Sequence, residues 1–331
     1  MTHPVIGILA PETDVHALAV AREVARLGGD SVILDTRQPH EQTWQWHVGT
    51  PPTVRTRRGM TVSVTELGAI WLRRAYPAQP PDFVRHPDDR SFARNEWSHL
   101  LDAVLADTPA VLVNRPDADI EAAKPRQLEA ALRSGLPIPD TLISNDPAQV
   151  VEFVERHHGK VIHKAMSSPR HLMLDTRRWD PADTRRLETL PIAPVIFQEE
   201  ITGAYDIRAT IVGDRILAAR FSTADSPVDT RLDLAVPCEA YELPAGIHAA
   251  LLRFMAELRL DFGAVDLKVD DDGRHVFLEV NPGGQFLFVE ILAGVPICEA
   301  LAHFLTSASA SRPLRPAGKR AGDTGQPTHR E

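Results

Sequence analysis

Apolar positions recur along this chain with two periods, every second residue and every three to four, and the two alternate from the start. Residues 5–10 (VIGILA) form a continuous apolar run of strand length, and residues 12–27 carry apolar positions at helical spacing. Gly28-Gly29 closes that stretch before a second short run at 31–35 (SVILD). Strand, helix and strand at this spacing predict a βαβ unit and an open α/β sheet. From 40 to 68 the pattern is irregular, with Trp44, Trp46 and a small basic patch, and predicts only short β pairing. A strand at 69–74 (AIWLRR), a helix at 90–106 and a strand at 110–113 follow, which places the end of a first domain near residue 117. The next helix is predicted over 121–138, with Leu128, Ala131 and Leu132 on one face and Gly135 and the Pro137/Pro139 pair as its stop.

A strand (TLIS), an Asp-Pro helix start, an amphipathic helix ending at Gly159 and a strand ending at Lys164 come after it. The remaining expectations are a strand at 195–201, a hairpin at 205–222 turning at Gly213-Asp214, and a helix at 246–259. A second hairpin and a final helix near 296–306 end the ordered part, and the Pro/Gly/Ser-rich residues 307–331 are predicted to be disordered.

The second hairpin, residues 263–284, concentrates the chemistry. Val265-Leu267-Val269 and Val276-Leu278-Val280 alternate on either side of Asp270-Asp271-Asp272-Gly273, which predicts two strands with one buried face. Asp266 and Lys268 then project opposite the first run, and Glu279 and Asn281 opposite the second. Across the pair Asp266 meets Glu279, directly or diagonally, so two carboxylates and an amide oxygen converge with no guanidinium among them. Such a set is costly without a cation, and hard oxygen donors suit Mg²⁺. The competing reading is a solvated acidic face, which is the expectation for Asp270, Asp271 and Asp272. Asn281-Pro282-Gly283-Gly284 ends the strand and lets backbone approach a ligand. Arg73 and Arg74, at the end of AIWLRR, are either solvated or placed to meet an acidic substrate at the carboxyl edge of the sheet.

Composition narrows the classes. The 331 residues are 43% hydrophobic and 24% charged, with a net charge of −9 and no basic run through the body of the chain, which argues against nucleic-acid binding. Two cysteines, Cys238 and Cys298, set no disulfide framework and suggest a reducing compartment. The first residues lack signal-peptide character and no apolar run has membrane-spanning length, so a cytoplasmic protein with no membrane partner is expected. The first βα turn holds Pro11 and Glu12 in place of a glycine fingerprint. No G-x-S-x-G is present, and His157, His158, His163 and His171 form no metal-ligand spacing.

The order of the polar elements from Lys124 onward is more specific. Lys124 precedes the helix ending in GLPIP, and Lys164 ends a strand before a small-residue loop (Ser167, Ser168). A strand carries Gln198-Glu199-Glu200-Ile201, Asp206-x-Arg208 lies on a hairpin, and Asp266, Glu279 and Asn281 close the series. Over residues 115–306 this resembles the ATP-grasp superfamily. The phrases AIWLRR, AAKPRQLEAALRSGLPIPDTLISNDP, VIHKAMSS, FQEEITGAYDIRATIVGDRILAAR, SPVDTRLD and FLEVNPGGQFLF resemble those of the microviridin-type ligases, or graspetide synthetases, which macrocyclise ribosomal precursor peptides.

The resemblance implies an α/β protein, α+β in its C-terminal part. Its parts would be an N-terminal pre-ATP-grasp domain (1–117), a central lid (118–195) and a C-terminal ATP-grasp subdomain (196–306). It implies ATP and Mg²⁺ as cofactors, a precursor peptide of leader plus core as partner, and dimers, which are usual in the subfamily. Lys124 and Lys164 would contact the phosphates, residues 198–201 the adenine and ribose, and Asp266, Glu279 and Asn281 the magnesium. Arg208 would lie at the γ-phosphate and acylphosphate, while Asp206, Asp229 and Arg231 would orient the peptide. For Asp206 and Arg208 an internal ion pair is the alternative, and for Asp229 and Arg231 a solvated loop. Two other functions fit the same residues: a ligase for a free amino acid or protein C-terminus, and a nucleotide- or peptide-binding module that does not ligate.

Overall fold

The computed structural model describes residues 4–167, 176–222 and 237–310. The first third folds as β1 (Val5–Leu9), α1 (Val15–Arg26), β2 (Ser31–Leu34), β3 (Thr43–Gln45), β4 (Thr53–Arg55), β5 (Thr61–Ser63), β6 (Leu67–Leu72), α2 (Pro87–Asp107) and β7 (Val111–Val113). Strands β2-β1-β6-β7 form a parallel sheet in that order, as the βαβ pattern predicts. The irregular stretch becomes a separate antiparallel sheet, β3-β4-β5. Helix α1 begins where the Asp14 carboxylate accepts from the Ala17 N–H. It stops where Gly28 takes φ 79°, a left-handed backbone that glycine adopts without steric cost.

The middle of the chain contributes α3 (Ala118–Glu121), α4 (Lys124–Arg133), β8 (Thr141–Ser144), α5 (Pro147–Arg156), β9 (Val161–Lys164), β10 (Arg177–Arg178) and β11 (Val195–Glu199). The single helix expected over 121–138 is two. Pro125 has no N–H to continue a helix and is tolerated only in a first turn, so the helix restarts at Lys124. Its inner face is also rotated from the expected one: Gln127, Leu128 and Ala131 are buried and Leu132 is exposed. Strands β10-β9-β11-β8 form an antiparallel sheet. Phe197, Val161 and the partly buried Leu142 pack on one face with Phe153, Leu187 and Leu190. Ile162, Lys164, Ile196 and Gln198 share the other face.

The last part is β12 (Tyr205–Val212), β13 (Arg215–Ser222), β14 (Cys238–Tyr241), α6 (Ala245–Glu257), β15 (Phe262–Val269), β16 (His275–Asn281), α7 (Leu287–Ala293) and α8 (Ile297–Ala310). Strands β14-β13-β12-β15-β16 form one antiparallel sheet. One of its faces packs Ile207, Ala209, Val265, Leu267, Phe277 and Val280 against α4 and α6. Helix α8 runs four residues beyond the expected end, and 311–331 lie outside the described residues. Ile297, Leu301 and Leu305 share a core with Ile6, Ile8, Val20 and Val24, so the final helix ties the C-terminal sheet to the parallel one. No helix among the described residues is long and apolar enough to cross a membrane.

Candidate active site

The site is built on the face of the C-terminal sheet opposite α4 and α6. In the β15–β16 register Asp266 lies directly across from Glu279 and Ala264 across from Asn281, and the Asn281 amide sits 3.4 Å from Glu279 Oε1. The pairing shifts by one residue between Asp266 and Leu267. This β-bulge makes Leu278 the extra residue, so Phe277 and Val280 form the core face, not Val276, Leu278 and Val280 as strict alternation predicts.

The expected absence of a guanidinium is corrected. Arg208 on β12 is the cross-strand neighbour of Asp266, and its Nη1 donates to both carboxylate oxygens, at 2.6 and 2.7 Å. Its Nη2 donates to the Gln285 carbonyl at 3.1 Å. The alternative of an Asp206–Arg208 pair does not form. The two share a face, two residues apart, and each takes the residue opposite: Asp206 meets Lys268 Nζ at 2.8 Å.

Helix α4 delivers Lys124 to the same place. Its Nζ lies 3.6 Å from Glu279 Oε2 and donates to the Ala165 carbonyl at 3.1 Å. Ala165 directly follows Lys164, so one ammonium joins the end of the middle sheet to the acidic pair. Each carboxylate thus has one of the expected phosphate-binding cations beside it. An arriving anion can draw those cations onto itself and leave the carboxylates for a metal.

The residues 198–201 divide. Gln198 is 1% exposed on the Lys164 face, and its Nε2 donates to Thr141 Oγ1 at 2.9 Å while its Oε1 has no hydrogen-bond partner among the described residues. A buried orphaned acceptor there fits an exocyclic amine such as that of adenine. Glu199 points to the other face, where its Oε2 accepts from the Asp140 N–H. Glu200 pairs with Arg178 Nε at 2.6 Å, and Ile201 is half-buried beyond the strand end. Asp229, Arg231 and Ser168 lie outside the described residues, and Ser167 is exposed.

The two arginines that close AIWLRR part company. Arg74 Nη1 donates to Tyr76 Oη at 2.9 Å. Arg73 is 1% exposed and donates to the carbonyls of Gly283 and Gly284, with Asp14 Oδ1 at 3.5 Å from its Nε. Burial lowers its pKa to about 10, with the Asp14 carboxylate opposing the shift. Its Nε and Nη2 have no hydrogen-bond partner among the described residues, so only Nη1 is engaged in hydrogen bonds. It holds the turn after Asn281 in place. The turn is tight: a Cβ on Gly284 would come within 2.5 Å of Ala264 Cβ and 3.2 Å of Arg208 Nη2.

Three residues of this frame went unread in the sequence. Asn114 and Gln127 make paired hydrogen bonds to β15 and β16. His16 Nε2 accepts from the N–H groups of Phe286 and Leu287 at 3.2 and 3.4 Å. The signal for each was a polar residue inside or just after an apolar pattern. Burial, then the Arg73 guanidinium, lowers the His16 pKa from 6.5 to about 4, while Asp14 raises it. The folded protein therefore takes up this proton at lower pH than the unfolded chain. Stability from His16 is complete above pH 6.5 and is lost as pH falls towards 4. His16→Gln keeps an acceptor and does not titrate. Across that window its melting temperature is expected to fall about 5 °C less than that of the unmodified protein. Equal falls in a pH series of melting curves would remove His16 from the acid sensitivity.

Among the described residues no three His, Cys, Asp or Glu side chains form a metal cluster. The donors here are two carboxylates and an amide, a set that suits Mg²⁺, which takes its remaining ligands from water and phosphate.

No family model and no curated protein matches the chain. Solved structures do. The macrocyclase MdnC of Microcystis aeruginosa MRC, bound with precursor peptide MdnA, is 27% identical with a TM-score of 0.83 over 92% of this chain and 99% of MdnC. The ATP-grasp ligase PsnB, complexed with a phosphomimetic variant of its minimal precursor, Mg and ADP, is 28% identical. Its TM-score is 0.78 over 92% of this chain and 98% of PsnB. A RiPP-associated ATP-grasp ligase of Chryseobacterium gregarium shares the fold at 22% identity, with a TM-score of 0.82 over 93% and 97% of the two chains. This chain is an ATP-grasp protein, and within that superfamily it resembles the microviridin-type, or graspetide, macrocyclases.

Proposed function

We propose that the protein is an ATP-dependent carboxylate–alcohol or carboxylate–amine ligase that closes rings in a ribosomal precursor peptide. The observation that carries this is the matched set on one sheet face: Asp266 across from Glu279, Arg208 on the first, Lys124 on the second and next to the Lys164 strand end. The likeness to MdnC and PsnB, both solved with precursor peptides, supports the peptide as substrate.

Asp266, Glu279 and Asn281 would hold Mg²⁺, which when bound neutralises and orients the β- and γ-phosphates. Lys124 and Lys164 bind the triphosphate, and Gln198 receives the adenine amine. A peptide Asp or Glu carboxylate oxygen attacks the γ-phosphorus, the bond to the β-phosphate oxygen breaks, and ADP leaves. Arg208 stabilises the charge on the transferring group and then on the acylphosphate. A Ser or Thr hydroxyl, or a Lys amine, of the same peptide attacks the acyl carbon, gives up its proton and expels phosphate. The sum is one ATP converted to ADP and phosphate and one water lost from the peptide per ring. Asp206, half-buried and tied to Lys268, would orient the peptide at the edge of this face.

The experiment is incubation with ATP, Mg²⁺ and a short Thr/Ser- and Asp/Glu-rich precursor peptide encoded beside this gene. ADP release matched to the loss of one water per ring, by mass spectrometry, is the expected result. Turnover with free amino acids in place of the peptide, or none with either, overturns the proposal.

A further inference from the structure

We infer that Gln127 is a positioning residue that sets the spacing of Glu279 and Asn281 and indexes the Lys124 helix onto them. This rests on the reading of Asp266, Glu279 and Asn281 as magnesium ligands. Strand β16 is the outer strand of its sheet: β15 pairs with one edge, and on the other the Phe277 N–H donates to the Pro137 carbonyl at 2.8 Å, just before the bulge. On that edge the Gln127 side chain stands in for a neighbouring strand at one residue. Its Oε1 accepts from the Val280 N–H at 2.8 Å, and its Nε2 donates to the Val280 carbonyl at 2.9 Å. Gln127 is 4% exposed, and its Nε2 also donates to the Ala122 carbonyl.

Val280 stands between the two ligands. Its N–H belongs to the peptide plane joining it to Glu279, and its carbonyl to the plane joining it to Asn281. One amide therefore fixes both planes, and with them the directions in which the two side chains leave the strand. The bulge at Leu278 makes this necessary. An extra residue loosens the register, and a slip by one would turn Glu279 and Asn281 into the core. Gln127 is bound just past the bulge, where it blocks that slip. Lys124 lies three residues, nearly a full helical turn, before Gln127, and its ammonium is 3.6 Å from Glu279. The cation and the carboxylate are thus set by one side-chain amide.

The test uses the full chain with Mn²⁺ as a paramagnetic stand-in for Mg²⁺, titrated in the presence of ADP and read by electron paramagnetic resonance. Gln127→Met fills a similar volume without the amide. It is expected to weaken Mn²⁺ binding about 10- to 100-fold, as loss of an outer support does at metal sites. In the same variant the Val280 and Asn281 amides are expected to exchange faster with deuterium, with the Lys164 strand unchanged. A folded Gln127→Met protein that binds Mn²⁺ within about twofold of the unmodified chain overturns the inference, whatever its melting temperature. Should Gln127→Met not fold, Gln127→Glu, which retains an acceptor for the Val280 N–H but no donor for its carbonyl, is measured in the same way. Exchange in the unmodified chain is a second criterion: a Val280 amide exchanging as fast as an exposed strand edge overturns the inference without any variant. Failure of the unmodified chain to bind Mn²⁺ with ADP counts against the proposed function instead, since the control itself has then failed.

Discussion

Glu279→Gln is expected to lower ATP turnover about 10²- to 10³-fold while leaving the melting temperature nearly unchanged. The reason is that the charge is lost where it acts and is not missed elsewhere. The Glu279 and Lys124 side chains are 17% and 28% exposed and 3.6 Å apart, an open pair of small net worth. Without it Lys124 still donates to the Ala165 carbonyl. Asp266→Ala is expected to cost the same activity and about 3–5 kcal/mol of stability besides. It strips both Nη1 hydrogen bonds from a guanidinium whose side chain is 7% exposed and whose Nε has no hydrogen-bond partner among the described residues. ADP-release assays beside urea unfolding separate the two. Wild-type turnover by Glu279→Gln would falsify the assignment of a metal-ligand role to this carboxylate.

Most of the fold was legible wherever the period was unbroken over a whole element. The β1–α1–β2 unit and the β12–β13 hairpin turning at Gly213 follow directly from alternation and helical spacing, as does the existence of the β15–β16 pair but not its register. What was missed has a physical signature in each case. The bulge at Leu278 adds one residue to one strand, and strict alternation has no term for it. The break before Lys124 came from Pro125 lying inside an otherwise helical pattern. Arg208 beside Asp266 depends on β12 pairing with β15, 58 residues apart in sequence, which no local spacing reports. From sequence Arg73 reads as a residue at an open sheet edge, because the turn at Gly283-Gly284 that covers it belongs to another part of the chain.

The candidate ligands were easier to find than their supports. Asp266, Glu279 and Asn281 are charged or polar at alternate strand positions, a pattern visible without the fold. Gln127, Asn114 and His16 each bond backbone more than a hundred residues away, and backbone groups leave no mark in a sequence. Burial separates the two classes. The ligands are half-buried on an open face, whereas Gln127 and Asn114 are each 4% exposed and Arg73 is 1% exposed. A buried amide or guanidinium at such a position is satisfied by a specific partner or it destabilises the fold.

Asn114→Ala is accordingly expected to be the most destabilising truncation among these supports, at about 4 kcal/mol or a fall of about 10 °C in melting temperature. Asn114 Oδ1 accepts from the N–H groups of Asp261 and Phe262, at 2.8 and 2.9 Å. Its Nδ2 donates to the Phe262 carbonyl at 2.7 Å and to the Pro282 carbonyl at 3.2 Å. One side chain thus closes the start of β15 onto the end of β16, and alanine leaves four backbone groups without it. Water cannot restore the inner ones, because Phe262 is fully buried against Trp71 and Phe286. Asn114→Asp retains the acceptor and loses both donors, while setting a carboxylate against two carbonyl oxygens, so it is expected to rescue little. A melting temperature within about 2 °C of the unmodified protein for Asn114→Ala would mean that the strand ends are held by packing alone. Nucleotide binding by the folded fraction, measured below the transition, gives the second half of the answer. Asp266 lies four residues along β15 from Phe262, so a loosened strand start is expected to weaken ADP–Mg²⁺ affinity severalfold as well as stability.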